Sequence, residues 1–441
     1  MEDQKLIDII QKYGTPTFVF DTDALKKRVQ AIQKIWGNEV SLCYSVKANP
    51  FLIPSMLEVV NHLEVCSPGE LEICENLHIP MKSVVYSGIN KEPSDIHQAV
   101  SDGVEICTAE SLRHISLLEK EGKGSGKVIP VLLRLNAGSQ FGMSQEDLLY
   151  VIRNRKMWPH LSFEGVHYFV GTQRKNRELH QQKDELEMLR VLFSNIQQHE
   201  GFRLKRLEYG PGLPVPLFEK DDFSDTLAPA KEIADALKSV TEWVDLTVEA
   251  GRFFTTECGY YLTKVVDMKE IPLHSGGKAF CGKMTFKEQD SLKDNKVKRY
   301  CIVDGGINHV NYLGQIMGMK QPVIQQFQGN GDPDEDSENV SYAAVNRNEM
   351  VSGKYYEYAI CGSLCTTNDD LVRDCWMPEI HLGDVLVFGN IGAYSITEGI
   401  YLFLSRKMPR VVLYNGDFDI HMVRDYVSTS PLNTVKSDFS E

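Results

Sequence analysis

The chain has 441 residues, of which 42% are hydrophobic and 24% charged, a composition typical of a globular protein with two or three domains. Its formal net charge of -14 argues against a nucleic-acid backbone or an anionic membrane as the main partner. Runs of about 18 apolar residues, as a membrane helix needs, are absent, and the first residues lack the basic-then-apolar order of a secretory signal, so we expect a cytoplasmic protein.

Short apolar runs rich in Val, Ile and Tyr recur in the first part of the chain and predict eight β-strands. The predicted strands are 41–46, 62–66, 83–87, 104–108, 127–136, 163–170, 206–209 and 245–249. Segments with helical spacing alternate with them, at 54–60, 109–120, 145–153, 183–198 and 228–240. Eight strand-then-helix units predict a closed α/β (β/α)8 TIM barrel, which we assign to residues 24–268.

The pattern changes after this barrel to strands separated by Gly, Pro and Asp turns. Predicted strands lie at 300–303, 355–360, 385–388 and 411–414. The segment 328–339 is too acidic and Gly-rich to pack, and we predict an exposed loop there. Residues 269–441 therefore predict a second, mainly β domain.

The ten cysteines contain no Cys-x-x-Cys pair, and several lie within apolar strand-like runs. This pattern is typical of reduced core thiols rather than of a disulfide framework or a zinc site. The sequence therefore predicts no metal centre.

Chemically useful residues follow the first, seventh and eighth predicted barrel strands, at the strand ends where such barrels carry their active sites. Lys47 ends the first strand, where apolar walls would favour a neutral amine able to form a Schiff base with an aldehyde. Gly210-Pro211-Gly212 and Glu249-Ala250-Gly251-Arg252 follow the other two and suit a phosphate. Each motif alone is weak, since a lone lysine or glycine turn is more often solvated, but together they predict one site.

These motifs resemble those of the fold-type III pyridoxal 5'-phosphate (PLP) decarboxylases, particularly the diaminopimelate and ornithine decarboxylase branch, whose barrel alanine racemases share. The resemblance extends over 13–21, the Lys47 segment, 64–71, 165–173, 210–213, 249–252, 304–306, 362–365 and 392–394. It implies PLP held as a Schiff base on Lys47, with the phosphate at Gly210 and Gly212. It also places the opening strand in the second domain, which then comprises residues 1–23 plus 269–441 and is sandwich-like or barrel-like.

The resemblance further implies roles for individual residues. Glu249 would keep the pyridine nitrogen protonated, which favours decarboxylation, because alanine racemases place an arginine there. Cys365 would return a proton to Cα, although a buried core thiol is the alternative for any single cysteine. Cys365 and Asp369 would reach into the partner subunit's barrel, which implies a homodimer with shared active sites. Tyr394 would contact the cofactor and substrate, and Arg252 would bind a phosphate or carboxylate.

The chain departs from the family pattern at three places. Phe169 replaces a ring-stacking histidine, and Phe can stack but cannot titrate; we expect the nearby His167 to pack on the other face of its strand. Thr366 replaces an acid that binds a distal ammonium, which argues against a diamine-producing substrate. His309 follows Asp304-Gly305-Gly306 where the family has an Arg-Pro pair, and it is a candidate for lining an altered pocket.

The sequence therefore predicts PLP-dependent decarboxylation of an amino acid other than ordinary diaminopimelate or ornithine, free or carrier-bound, in a specialised biosynthetic pathway. An amino-acid racemase or epimerase on the same fold is the first alternative. The second is a non-catalytic, decarboxylase-like regulator that forms heterodimers, and this alternative predicts a damaged cofactor site.

Overall fold

The computed structural model describes residues 1–174, 176–272, 297–312, 320–345, 355–416 and 419–435. It divides the chain into two compact units. The barrel unit comprises Ala24–Pro216 and Asp222–Thr256, and the second unit comprises Met1–Asp23, Leu217–Asp221 and Glu257–Glu441. Within the described segments, no helix is both long and apolar enough to cross a membrane.

The chain begins with helix α1 (Asp3–Tyr13), strand β1 (Thr17–Asp21) and helix α2 (Thr22–Trp36). The barrel strands are β2 (Ser41–Ser45), β3 (His62–Val65), β4 (Val84–Tyr86), β5 (Ile106–Ala109), β6 (Ile129–Arg134), β7 (Leu161–Phe169), β8 (Arg206–Gly210) and β9 (Asp245–Ala250). All neighbours pair in parallel, and β9 pairs with β2 to close the barrel. The predicted eight-stranded barrel is confirmed, and each predicted strand overlaps an observed one.

The barrel helices are α3 (Ile53–Met56), α4 (Pro68–Asn76), α5 (Pro93–Asp102), α6 (Leu112–Ser125), α7 (Gln145–Arg153), α8 (Asn176–Glu200), α9 (Ala228–Val240) and α10 (Arg252–Thr255). Three of these helices have a serine as N-cap. The hydroxyls of Ser67, Ser111 and Ser144 each accept a hydrogen bond from the backbone N–H three residues later. Such caps satisfy donors that the first helical turn leaves unpaired, which explains where α4, α6 and α7 begin.

The second unit contains β10 (Gly259–Pro272), β11 (Val297–Val303), β12 (Ile324–Asn330), β13 (Ser341–Ala344), β14 (Tyr355–Cys361), β15 (Asp370–Pro378), β16 (Val385–Phe388), β17 (Arg410–Asn415) and β18 (Asp419–Arg424). With β1 they form a ten-stranded sheet in which the order β13-β12-β16-β10-β1-β17-β18 is continuous. Side chains of α1, including Leu6, Ile9 and Ile10, pack with Val19 and Leu262 in its core. The mainly β character of this unit is confirmed, as is the place of the opening strand within it.

Two boundaries differ from the sequence-based expectation. The second unit begins at Glu257, before the predicted boundary after residue 268, because β10 pairs with β1 from Gly259 onwards. The predicted loop 328–339 begins later than expected, because Gln328 and Gly329 still pair with β13. Strand β12 thus continues to Asn330 before the loop begins.

Candidate active site

Lys47 lies just beyond β2, in a single turn of 3-10 helix formed by Val46–Ala48. Its Nζ donates a hydrogen bond to Oε2 of Glu64 at 3.0 Å and lies 3.6 Å from Oε1 of Glu249. Sγ of Cys66 lies 3.8 Å away. The expectation of apolar walls around this amine is therefore wrong, because the strand ends of β3 and β9 present acids to it.

Glu249 on β9 is buried and accepts hydrogen bonds from two neighbours. Oγ of Ser45 donates to its Oε1 at 2.6 Å, and Nε2 of His167 lies 2.9 Å from its Oε2. Burial would raise the pKa of Glu249, but the charge of Lys47 and the hydrogen bond from His167 hold it well below its usual value. The carboxylate is therefore ionised at neutral pH.

His167 is fully buried on β7 beside this carboxylate. Burial alone would lower the pKa of His167, but the hydrogen bond to Glu249 and its charge outweigh burial and raise that pKa. The expectation that His167 packs on the other face of the strand is wrong, because residues two apart on a strand share one face, and His167 therefore points the same way as Phe169. The sequence prediction missed this partner of Glu249, although strand alternation could have found it.

Ligand atoms of Glu64, His167 and Glu249 lie within 4.8 Å of one another. Such a trio could in principle bind a metal ion. Nζ of Lys47, however, contacts Glu64 and lies near Glu249, so the positive charge in this cluster is already supplied by the chain.

A further acid, Glu208, lies on β8 directly opposite His167 in the strand register. It is buried, and among the described residues neither of its carboxyl oxygens has a hydrogen-bond partner. Burial raises the pKa of Glu208 to about 7, an effect that the charge of His167 partly offsets. Glu208 is therefore largely protonated below neutral pH, which limits the negative charge inside the barrel.

We expect Glu208 to make the protein less stable as the pH rises. The folded-state pKa of about 7 lies above the ordinary 4.5, so the folded state binds the extra proton between these values and loses stability as the pH increases through them. The loss approaches about 3 kcal/mol when complete. Glu208→Gln should remove this dependence in urea unfolding curves recorded between about pH 5 and 8.

Glu232→Gln is the matched control, because Glu232 is exposed on α9. Its stability curve should run parallel to that of the wild type. If the Glu208→Gln curve also runs parallel to the wild type, Glu208 does not bind its proton more tightly in the folded state.

The glycine turn after β8 is closely packed against neighbouring backbone and side chains. Gly212 has a φ of 62°, and a Cβ there would lie 1.9 Å from the carbonyl oxygen of Gly171. A Cβ on Gly210 would lie 2.2 Å from Cδ2 of Phe169, so the ring of Phe169 packs directly over this turn. Gly212 therefore requires glycine, and a side chain at position 210 would displace the ring of Phe169.

Gly251 and Arg252 follow β9, and Arg252 begins the short helix α10. The Arg252 side chain is buried at 7% exposure, and Oγ1 of Thr256 donates to its carbonyl oxygen at 2.8 Å. Within the barrel unit, Lys47 therefore lies near Glu249, Phe169 packs against Gly210, and Arg252 follows Glu249 by three residues.

In the second unit, Cys365 is exposed and Thr366 half-buried. Asp369 is buried, and its two oxygens accept hydrogen bonds from the backbone N–H groups of Ile307 at 2.8 Å and Leu364 at 2.7 Å. These bonds tie Asp369 to the backbone of Ile307 and Leu364, and its role towards a substrate stays a prediction. Tyr394 is half-buried, with a φ of 67°.

His309 is buried at 2% exposure in the second unit. Its Nδ1 pairs with the hydroxyl of Tyr261 at 2.7 Å, and its Nε2 pairs with the side-chain amide of Asn308 at 3.1 Å. Burial lowers the pKa of His309 to about 3, which keeps the ring neutral. Both ring nitrogens thus have partners within the second unit, and the substrate-binding role of His309 stays a prediction.

Residues 22–256 match the family model described as "Pyridoxal-dependent decarboxylase, pyridoxal binding domain". This match spans more than half of the chain. The chain belongs to the pyridoxal-dependent decarboxylase family. It is therefore an enzyme that uses PLP to decarboxylate an amino acid, as the sequence predicts.

Curated relatives match this decarboxylase over almost its whole length. Diaminopimelate decarboxylase of Aquifex aeolicus is 24% identical, with 96% of this chain and 93% of the relative covered. L-glutamyl-[BtrI acyl-carrier protein] decarboxylase of Niallia circulans is 23% identical, with 95% and 94% covered. In Staphylococcus aureus, 2-[(L-alanin-3-ylcarbamoyl)methyl]-2-hydroxybutanedioate decarboxylase is 25% identical, with 93% and 97% covered.

Solved structures confirm the fold of the decarboxylase. Diaminopimelate decarboxylase from Methanocaldococcus jannaschii superimposes with a TM-score of 0.77 at 21% identity, covering 98% of this chain and 95% of the other. At this level of identity the similarity establishes the architecture.

The residues of the decarboxylase's barrel fit PLP. Lys47 offers an amine at the strand ends, and the buried, ionised Glu249 suits a protonated pyridine nitrogen. Phe169 offers a ring face beside the glycine turn, the kind of turn whose backbone N–H groups can bind a phosphate. The damaged cofactor site that a non-catalytic regulator would show is not observed.

Proposed function

We propose that this enzyme decarboxylates an α-amino acid with an extended polar side chain that lacks a terminal ammonium group. The observation that carries this proposal is that the two acids near Thr366 already have partners within the chain. Asp369 binds two backbone N–H groups, and Asp370 pairs with Arg373 at 3.4 Å. A substrate ammonium would therefore find a neutral hydroxyl at Thr366 instead of a free carboxylate.

A cavity of about 420 Å3 in the second unit supports a long substrate. Its polar lining includes Asn311, Thr366 and Asn368. It also contains two acids: Asp370, which pairs with Arg373, and Glu398, which accepts a hydrogen bond from the Asn311 amide at 3.1 Å. Two relatives are named for large substrates of this kind, a glutamyl group on a carrier protein and an amide-extended hydroxybutanedioate. Both names describe amino acids without a distal ammonium.

Each of these barrel residues has a separate role towards the cofactor or substrate. When bound, PLP supplies an electron sink for the pair released from Cα. Lys47 holds the cofactor covalently, Glu249 holds a proton at its ring nitrogen, and Phe169 packs against a ring face. Gly210, Gly212 and Gly251 accommodate the phosphate end, and Arg252 adds a cation for phosphate or substrate carboxylate.

The second unit supplies the remaining groups in a homodimer with shared active sites. Cys365 returns a proton to Cα, and Tyr394 contacts cofactor and substrate. The exposure of Cys365 supports this assignment over a core thiol, since Cys43, Cys301 and other cysteines of the chain are buried. A cytoplasmic location remains a prediction from the sequence.

A substrate panel tests this function. We expect CO2 release from 2-[(L-alanin-3-ylcarbamoyl)methyl]-2-hydroxybutanedioate or a carrier-bound glutamyl group to exceed that from L-lysine, L-ornithine and meso-diaminopimelate. Thr366→Glu should raise turnover of L-lysine relative to the wild type by about tenfold, the effect of one charge-assisted hydrogen bond.

If the wild type released CO2 fastest from L-ornithine or L-lysine, this result would contradict the proposed substrate class. Exchange of the Cα hydrogen in D2O without CO2 release would instead support the racemase alternative. Glu257→Gln, a change to an acid at the start of the second unit, serves as the control variant for the panel and should leave the substrate order unchanged.

A further inference from the structure

We propose that Arg174 is a positioning residue for the phosphate group of the cofactor. It lies in the loop that follows β7 and fixes the glycine turn Gly210–Gly212. This inference rests on the proposed assignment of that turn to the cofactor phosphate. It adds to the site a residue with no counterpart among the motifs from which the cofactor site was predicted.

The loop after β7 is hydrogen-bonded to the glycine turn along its length. The backbone N–H of Arg174 donates to the carbonyl oxygen of Gly212 at 3.0 Å. The amide of Gln173 donates to the carbonyl oxygen of Val215 at 3.0 Å and accepts from its N–H at 2.7 Å. These bonds fix the backbone at Gly212 and at Val215, three residues further on, and so orient the turn whose N–H groups a phosphate would use.

The guanidinium of Arg174 anchors this loop to helix α8. It is 6% exposed and forms two hydrogen bonds with Glu185, from Nη1 at 3.0 Å and from Nη2 at 2.6 Å. The hydroxyl of Tyr209, the residue before Gly210, donates to the same carboxylate at 2.8 Å. Glu185 thus connects the loop after β7 with the end of β8.

Helix α8 also contacts the turn directly. The amide of Gln182, one helical turn before Glu185, donates to the carbonyl oxygen of Pro211 at 2.5 Å. The turn Gly210–Gly212 is therefore held by Gln182 from the helix and by Arg174 from the neighbouring loop. Glycine loses more conformational freedom on ordering than any other residue, so a turn with two glycines gains most from such external fixation.

Removing the Arg174 guanidinium leaves Glu185 as a half-buried acid without its cation and releases the loop from α8. The glycine turn then has to be ordered by the phosphate itself, which reduces the affinity for a phosphorylated ligand. Pyridoxal, which has the same aldehyde and ring but no phosphate, does not use the turn. The two ligands therefore separate an effect on phosphate binding from a general effect on the barrel.

The test compares binding of PLP and of pyridoxal to the full-length protein freed of cofactor, measured by the absorbance of the adduct with Lys47. Arg174→Met should weaken PLP binding by about tenfold or more, as expected for losing one charged contact network, and change pyridoxal binding by less than about twofold. Arg174→Lys should restore part of the loss. Arg190→Met is the matched control, because Arg190 forms an exposed ion pair with Glu187 on the same helix, and it should change neither affinity.

Equal weakening of both ligands, or no weakening of either, in Arg174→Met would overturn the proposal. If Arg174→Met does not fold, Tyr209→Phe removes one hydrogen bond to Glu185 and should produce a smaller loss confined to PLP. Wild-type protein that binds neither ligand at Lys47 would refute the proposed cofactor site as well, whereas wild-type binding with an unchanged Arg174→Met would refute this inference alone.

Discussion

Replacing Lys47 with alanine is expected to abolish both the covalent attachment of PLP and the release of CO2. Lys47 carries an amine at the strand ends, between Glu64 and Glu249. Without it the cofactor has no covalent link, and CO2 release should fall by at least about 10³-fold, the scale of losing a covalent catalytic group. Absorbance of the bound cofactor at the edge of the visible range, and CO2 release from the best substrate, measure the two effects.

Borohydride reduction of the wild type, followed by peptide mass analysis, identifies the attached lysine. Lys120→Ala, at an exposed position on α6, is the matched control and should retain both attachment and turnover. The buried Lys91 is the competing candidate in the barrel, but its ammonium already donates to the carbonyl oxygens of Ser87 at 2.8 Å and Gly88 at 2.6 Å. A reduced label on Lys91, or a label that persists in Lys47→Ala, would identify a different attachment site.

The barrel was predictable because its signals are local. Parallel strands covered on both faces read as continuous apolar runs, such as 129–134, and strand ends of a barrel converge on one edge whatever their partners are. Lys47 and the glycine turn follow such runs, and Glu249 lies in the last positions of one. Their meeting in one unit followed from the fold class alone.

The direction of individual side chains was less predictable, because it depends on what lies opposite. His167 could have been assigned correctly, since the two-residue period links it to Phe169, and the same period links Glu208 to Gly210. Arg174 and Glu185 carry no such signal. Their pairing joins a loop to a helix, and only the packed structure brings these charges together.

Asp369 and His309 show a second limit of prediction from sequence, which concerns polar residues in loops. Polar residues in a Gly-rich loop suggest a binding role, yet the loop's own backbone has to be satisfied first. Asp369 meets that demand by accepting from two backbone N–H groups, whereas the His309 ring pairs with the side chains of Tyr261 and Asn308. A polar motif in a loop does not show from sequence alone whether it serves the loop or a ligand.

Glu249→Gln is expected to separate cofactor attachment from decarboxylation. Glutamine keeps the size of the side chain and can still accept a hydrogen bond from Ser45, so the pocket and the Lys47 linkage should persist. It carries no charge, however, and cannot hold a proton at the cofactor's ring nitrogen. CO2 release should therefore fall by about 10²- to 10³-fold, the scale of removing one preorganised electrostatic group, while the absorbance of bound PLP remains.

The pH dependence provides an independent check on the same carboxylate. In the wild type the pKa of Glu249 is held well below its usual value, so loss of its charge should not limit activity on the acidic side near neutrality. The pKa of His167, raised in the wild type by Glu249, should fall in Glu249→Gln, because burial is then opposed by the charge of Glu208 but no longer by the hydrogen bond and charge of Glu249. NMR titration of labelled histidine follows this change directly, and Glu249→Asp should retain the raised pKa in part. If Glu249→Gln released CO2 at the wild-type rate, the ionised carboxylate would have no part in the electron sink, and its burial beside Lys47 and His167 would serve only the structure of the barrel.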